Sequence, residues 1–499
     1  MNAEVLPTIV SYPPAWVTTF LGILVSLLVI EQSVYRYKKK NLPGNEWTIP
    51  LIGKFADSLN PTMEKYKSSW ENALSATSVF NIFIVMASSN EYTRRILNTP
   101  SCAEPCLVQS MKTILLPDNW VFLTGKAHLE FRRGLNILFT RRALGMYLQT
   151  QQTVYKEFFE QWLADPGPAR PYQLIFRDLN MITSLRVFCG DSIPIHAQQE
   201  ISDKYWLISN ALELVNFPLA LPGTKVYKAV QARKVAMEWF EKSAAYSKKK
   251  MAAGEEPNCL TDAWVNEMIK GVNYDPASGE QKPPVNRMFT DREIAMVVMT
   301  FLFASQDAMS SAITYGFQLL ADHPEVFAKI RAEQDALRGH DRDAILTIDD
   351  IDKMTYTLAA SKEVLRLRPP VIMVPYKATK PFQISPDYTA PAGSMVIPSF
   401  WNSLHDASVY PDPDSFKPER WLPGGDSANA SAKNYLVFGH GPHRCIGSDY
   451  VYIHMTAVLG TAALKMDWDH EVTPASDKYK LIPTITPEDG CRLKFRHRS

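Results

Sequence analysis

Apolar positions in this chain form two long runs and many shorter periodic ones, and the two long runs predict different things. The first, Val5 to Ile30, contains no charged residue. Its densest part, Trp16 to Ile30, is short for a hydrocarbon core of ~30 Å, and extension to Tyr35 supplies the missing rise. Pro13 and Pro14 suit a helix start, while Trp16, Tyr35 and Tyr37 suit interfacial aromatic belts. Arg36, Lys38, Lys39 and Lys40 follow the run and no basic residue precedes it. The positive-inside rule then predicts a lumenal N-terminus and a cytosolic body. A cleaved signal peptide would carry its charges in the opposite order and small residues at the cut. The pattern divides the chain into a short N-terminus (1–14), an anchor (15–35), a basic hinge with Pro and Gly (36–46) and a body (47–499).

The second run, Asp291 to Leu320, also has the length of a membrane span. Asp307 in its middle argues for a helix buried in protein, because a carboxylate in lipid is costly and is kept for function. Elsewhere the periodicity is mostly helical. Residues 145–250 read as several amphipathic helices, with an apolar loop at Leu214 to Gly223 between two of them. A helical run starts near Met354. Ser78 to Met86 reads as a strand, and the polar, Gly- and Pro-containing stretch 271–286 reads as a surface loop. The expected class is therefore mainly α with small β-sheets.

Composition changes this picture little. At 499 residues the usual prior is about three domains. No Gly/Ser linker or internal repeat divides the chain, so one large domain behind the anchor is expected. Hydrophobic residues make up 46% of the chain, enough for a sizeable core. The net charge of +1 gives no support to nucleic-acid binding. Cysteines are scattered, and Cys102 and Cys106 have no histidine or second cysteine pair to complete a zinc site. Reduced thiols facing the cytosol are the simpler expectation.

The chemistry concentrates at Phe438-Gly439-His440-Gly441-Pro442-His443-Arg444-Cys445-Ile446-Gly447. Gly439 and Gly441 permit backbone shapes closed to other residues, and Pro442 fixes a dihedral. His443 and Arg444 place positive or titratable charge beside the Cys445 sulfur, favouring thiolate over thiol. The apolar segment Ser448 to Lys465 puts Cys445 just before a helix N-terminus, whose amides favour a negative sulfur.

This stretch resembles the cysteine-ligand loop of the cytochrome P-450 family, F-x-x-G-x-[R/H]-x-C-x-G, at every specified position. The resemblance implies that Cys445 is the axial thiolate of a haem b iron and that His443 hydrogen-bonds a haem propionate. His128 and Arg132, four apart and so on one helix face, match a family pair that binds a propionate. The segment around Asp307 resembles the family's long helix over the distal haem face. There Ala304 and Asp307 match the usual pattern, Ser305 replaces Gly, and Ala308 replaces the customary Thr. Asp307 is then expected to deliver protons through water, without the neighbouring alcohol. Glu363, Arg366 and Arg420 correspond to the family's buried scaffold network, selected by the Pro369-Pro370 and Phe416-to-Trp421 segments that follow in the family's order. Phe301, Ala304, Ala308, Val371, Ile372, Met373 and Ile485 correspond to substrate-pocket positions. Membrane-bound members dip a loop like Leu214 to Gly223 into the bilayer.

Finer passages are most similar to fungal sterol C-22 desaturases: Phe301 to Ala308, Arg368 to Tyr376, Tyr388 to Pro398 and Asn119 to His128. That similarity implies removal of hydrogens from carbons 22 and 23 of a sterol side chain in ergosterol synthesis. It also implies electrons from NADPH through a membrane-bound reductase, dioxygen as oxidant, and an endoplasmic-reticulum membrane location. A sterol or fatty-acid hydroxylase on the same scaffold is the alternative, and a non-catalytic haem-thiolate ligand carrier is a more distant one.

Overall fold

The computed structural model describes residues 14–50, 52–54, 61–107, 109–165, 167–211, 220–279, 281–339, 341–426, 432–481 and 484–498. The apolar N-terminal run forms a helix, Ala15–Lys39, whose apolar side chains stand exposed along most of its length. Helix therefore continues through residues 36–39, the first part of the stretch read as a hinge.

Asp291–Asp322 is one helix through the middle of the body. The Thr290 hydroxyl accepts from the Glu293 amide, and the Glu293 carboxylate accepts from the Thr290 amide, closing a capping box at its start. Being apolar on nearly every side, this helix must be surrounded, and helices Gln173–Cys189 and Lys225–Ala252 pack against it. Helices Thr355–Leu367 and Ser448–Lys465 cover its other flank.

A five-stranded sheet lies beside the helical body. Its strand order is Leu74–Val79, Ile82–Ala87, Met395–Pro398, Tyr376–Ala378, Ala103–Pro105. Ile82–Ala87 and Met395–Pro398 pair in parallel, and the other pairs are antiparallel. The single strand expected at Ser78 to Met86 is thus a hairpin. Phe80 and Asn81 both adopt positive φ, 48° and 60°, which is the geometry of a two-residue turn matched to strand twist. Phe at the first turn position is an unusual residue for it and disguised the break.

His454, on the helix after the cysteine loop, is fully buried, with its ring centroid 5.4 Å from that of Tyr155 and 5.9 Å from that of Tyr450. Neither ring nitrogen has a protein partner, and burial pushes its pKa down to about 3 from 6.5. A depressed histidine pKa gives stability that is full above the unfolded value and lost as pH falls. The expected loss between pH 7 and pH 4 is about 3 kcal/mol from this group. His454→Leu is therefore expected to flatten the fall of the thermal midpoint over that interval. An unchanged pH slope would assign the acid sensitivity elsewhere.

Candidate functional site

The cysteine loop packs against helix Gly125–Leu135 through His128 and Arg132 and against Tyr435 and Tyr452 through Phe438. Gly439 and Gly441 take φ of +66° and +71°. A side chain on Gly441 would start 2.4 Å from the Leu97 carbonyl oxygen, so the loop could not seat there with any other residue. The Cys445 amide donates to the Phe438 carbonyl at 2.8 Å, closing the loop. Helix Ser448–Lys465 begins three residues after Cys445, as expected.

Cys445 is exposed, whereas Cys189, Cys259 and Cys491 are buried. Its side chain is therefore accessible, as an iron ligand must be. Across the fold, Ala304 is exposed and Ala308 half-buried on a helix whose neighbouring residues Phe301, Leu302, Gln306 and Asp307 are buried. One face of the central helix thus presents two methyl groups to open space.

The polar groups near the sulfur come from helix Gly125–Leu135 and the cysteine loop. His128 is buried and stacks on His443 with ring centroids 4.2 Å apart. Arg132, one turn on, donates through Nη2 to the carbonyl of Arg444. Asn119 fixes the approach to this helix by a 2.7 Å bond from its Nδ2 to Thr300 Oγ1 on the central helix. Burial, helped by His128 and Arg132, pushes His443 down to about 4. His443 is therefore neutral near pH 7, and the positive charge expected from it beside the sulfur is supplied by Arg132 and Arg444 instead. Burial also raises the Cys445 thiol, against the opposing pull of the Gly447 amide, Arg132 and Arg444. The surroundings alone therefore do not outweigh burial, contrary to the expectation from the loop sequence. A bound metal ion deprotonates such a thiol outright.

A haem fits this set. The exposed Cys445 would supply a thiolate ligand, and Arg132, His128 and His443 are donors of the kind the haem carboxylates would need.

Asp307 lies on the central helix, buried, with both carboxylate oxygens engaged. Arg177 Nη2 is 3.0 Å from Oδ1, and Ser209 donates to Oδ2 at 2.8 Å. Arg177 also donates to Ser209 at 2.7 Å and lies over the Trp206 ring, its guanidinium carbon 4.8 Å from the centroid. Thr484 donates to the Asp307 carbonyl at 3.1 Å. Burial raises the Asp307 carboxyl, with Arg177 and Ser209 pulling the other way. The adjacent Gln306 is tied to Asn180 and to the Arg177 carbonyl, at 2.9 and 2.8 Å. Arg177 and Ser209 lie in the region that read as featureless helices. Gln173–Cys189 is largely apolar but carries Arg177, Asp178 and Arg186, and an arginine buried in such a stretch needs a buried acid.

Of the expected pocket positions, Val371 is 38% exposed and Met373 half-buried. Phe301 is buried in a ring cluster with Trp120, Phe139 and Phe188. Ile372 is buried too, its carbonyl accepting from Tyr66. Ile485 is a correction. It is a core residue with no open surface, its carbonyl taken by Ser311 of the central helix. The loop at Leu214 to Gly223 lies outside the described residues over 214–219.

Behind the cysteine loop, Glu363 receives Arg366 Nη2 and Nε at 2.9 Å each, Arg420 Nε at 3.1 Å, the Lys417 amide at 3.1 Å and Trp421 Nε1 at 2.9 Å. Arg366 gives its other three hydrogens to the carbonyls of Leu404, Pro413 and Ser415, and Arg420 donates to those of Pro411 and Asp412. All three side chains are at most 1% exposed. Trp421 stacks edge-on to Tyr435, which leads through Phe438 into the loop. The network is thus a satisfied buried support for the cysteine loop.

Comparison with known proteins agrees with this geometry. A C-22 sterol desaturase erg5 of Aspergillus fumigatus is 44% identical over 474 residues, covering 92% of this chain and 91% of that protein. A C-22 sterol desaturase ERG5 of Saccharomyces cerevisiae is 43% identical, covering 97% and 90%. Cytochrome P450 monooxygenase oblE of Emericella variicolor is 42% identical, covering 95% and 92%. The solved structure of retinoic acid bound cyanobacterial CYP120A1 superposes with a TM-score of 0.78 at 21% identity, covering 92% of this chain and 99% of that one, and shares the fold. The family profile described as Cytochrome P450 matches residues 76–494, and the chain accordingly belongs to the cytochrome P450 family of haem-thiolate oxidoreductases.

Proposed function

We propose that this protein is a membrane-anchored sterol C-22 desaturase that uses dioxygen and electrons from NADPH delivered by a reductase. The observation that carries this reading is near-full-length identity of 44% and 43% to two proteins bearing that name. The reaction balances with two C–H bonds broken and one C=C formed. Dioxygen takes two electrons from the sterol and two from NADPH, and leaves as two waters. When bound, the haem supplies the activation of dioxygen, for which a thiolate ligand favours O–O cleavage.

Each residue of the chain has a part in this reading. Cys445 is the iron ligand, with His128, His443 and Arg132 on the propionates. Ala304, Ala308, Val371 and Met373 face the sterol side chain. With alanine at 308 in place of the family's alcohol, Asp307 moves protons through water. It can do so only when it turns out of its bonds to Arg177 and Ser209. The body lies on the cytosolic side of the endoplasmic-reticulum membrane, behind the N-terminal anchor.

Hydroxylation on the same scaffold is the second reading, favoured by the 42% identity to a protein named as a monooxygenase. A sterol saturated at carbon 22 is expected to perturb the haem spectrum on binding and to stimulate NADPH consumption by the enzyme with its reductase. Indifference to sterols in both measurements would overturn the sterol reading. Asp307→Asn is expected to retain haem and sterol binding while lowering turnover roughly 10²-fold, the scale of one lost proton-transfer group. Unchanged turnover would make Asp307 a structural partner of Arg177 only.

A further inference from the structure

Three side chains of helix Gln173–Cys189 meet one turn of the central helix. Arg177, Asn180 and Ser184 share a helix face and are all buried. Their partners run in the reverse order along the central helix, as Asp307, Gln306 and Ser305. Arg177 reaches Asp307 at 3.0 Å, Asn180 Nδ2 donates to Gln306 Oε1 at 2.9 Å, and Ser184 Oγ lies 3.3 Å from Ser305 Oγ.

The middle rung differs from the other two, because it also grips backbone on both helices. Asn180 Nδ2 reaches the Gln306 carbonyl at 3.2 Å, and Gln306 Nε2 donates to the Arg177 carbonyl at 2.8 Å. The Gln306 amide therefore ties down the backbone of the very residue whose guanidinium pairs with Asp307. With 3.6 residues per turn, Gln306 stands about 160° around the helix from both Ala304 and Ala308. It holds the turn from behind, on the side away from the two alanine methyl groups. Gln306 itself is buried and turned away from that open side.

We propose that Gln306 and Asn180 are positioning residues for Asp307, acting by fixing Arg177 against the central helix. This rests on the reading of Asp307 as the group that moves protons. An arginine free to shift would follow the carboxylate as it turns and keep the pair closed. With its backbone held by Gln306, Arg177 stays behind, and the pair opens when Asp307 turns away. Both residues act through Asp307.

The test is a double-substitution cycle on the full-length holoenzyme with its reductase, NADPH and a sterol saturated at carbon 22. Gln306→Met removes the amide at similar size, and Asn180 keeps its bond to the residue 306 carbonyl. Haem content and the sterol-induced spectral change are therefore expected to stay normal, with kcat down roughly tenfold and the sterol KM unchanged. In an Asp307→Asn background, Gln306→Met is expected to cost nothing further, since both changes break one relay. A second full tenfold loss in that background would overturn the positioning role and make Gln306 a packing residue. Normal kcat in Gln306→Met beside a slow Asp307→Asn would overturn it too, and would leave the role of Asp307 standing. Normal kcat in Asp307→Asn would overturn that role, and the proposal with it. The exchange of Asn180→Gln with Gln306→Asn guards against a Gln306→Met protein that loses its haem. It keeps an amide pair between the helices but shortens the reach to the Arg177 carbonyl, so a normal thermal midpoint with low kcat is expected. Full kcat in the exchanged protein would overturn the proposal.

Discussion

Glu363→Ala is expected to yield protein with little or no bound haem and a sharply lowered thermal midpoint. The carboxylate holds two guanidiniums that are almost completely buried, and removal leaves both charges without an anion. Breaking one buried pair by removing a partner costs about 3–5 kcal/mol, and here two pairs break together. Domains are commonly stable by only about 5–15 kcal/mol, so most of the margin disappears. Loss of the Lys417 amide and Trp421 bonds adds to the damage and loosens the segment that supports Tyr435 and the cysteine loop. Glu419→Ala is the matched control. Glu419 pairs with Lys329 at 2.6 Å, but the two side chains are 48% and 54% exposed. Such a pair is worth about 1 kcal/mol or less, so haem content should stay normal. Haem absorbance per protein and the thermal midpoint, measured on both variants, check the contrast. Normal haem loading in Glu363→Ala would contradict the scaffold role.

Cys445→Ser is expected to abolish turnover while leaving the fold in place. The loop is closed through backbone groups, the Cys445 amide to Phe438 and the Gly439 amide to Leu436, and neither bond involves the sulfur. The thermal midpoint of the haem-free protein should therefore move little, and the reduced, carbon-monoxide-bound spectrum should lose its thiolate signature. Retention of that signature would transfer the ligand to another cysteine. Among the six, none but Cys445 is exposed, which makes the prediction sharp.

Much of this was legible before any coordinates. The cysteine loop announces itself because glycines, proline and cysteine occur in fixed order over ten residues, and local order survives in sequence. Asp307 was legible because a carboxylate in a long apolar run must be explained. Glu363, Arg366 and Arg420 were legible from context, and the structure brings them together as a paired cluster. What escaped has a common physical cause, since partners distant in sequence leave no local trace. Arg177 and Ser209 reach Asp307 across gaps of more than 90 residues. Trp421 donates to Glu363 through an indole that otherwise looks like core. The expected charge on His443 failed because burial beside His128 and Arg132, invisible in the loop, keeps its ring neutral. Ile485 was placed in the pocket wall by position alone, and packing against the central helix puts it in the core. The hairpin at Phe80 and Asn81 was missed because an aromatic residue occupies a turn position usually given to Asn, Asp or Gly.

The central claim is the chemistry at the sterol side chain, and the product's mass decides it. The purified enzyme, its reductase, NADPH and a sterol saturated at carbon 22 are incubated, and the product is weighed by mass spectrometry. The account predicts a loss of two hydrogens located at carbons 22 and 23. A gain of one oxygen would keep the fold, the haem and the cysteine ligand, but would make this enzyme a hydroxylase and contradict the desaturase assignment.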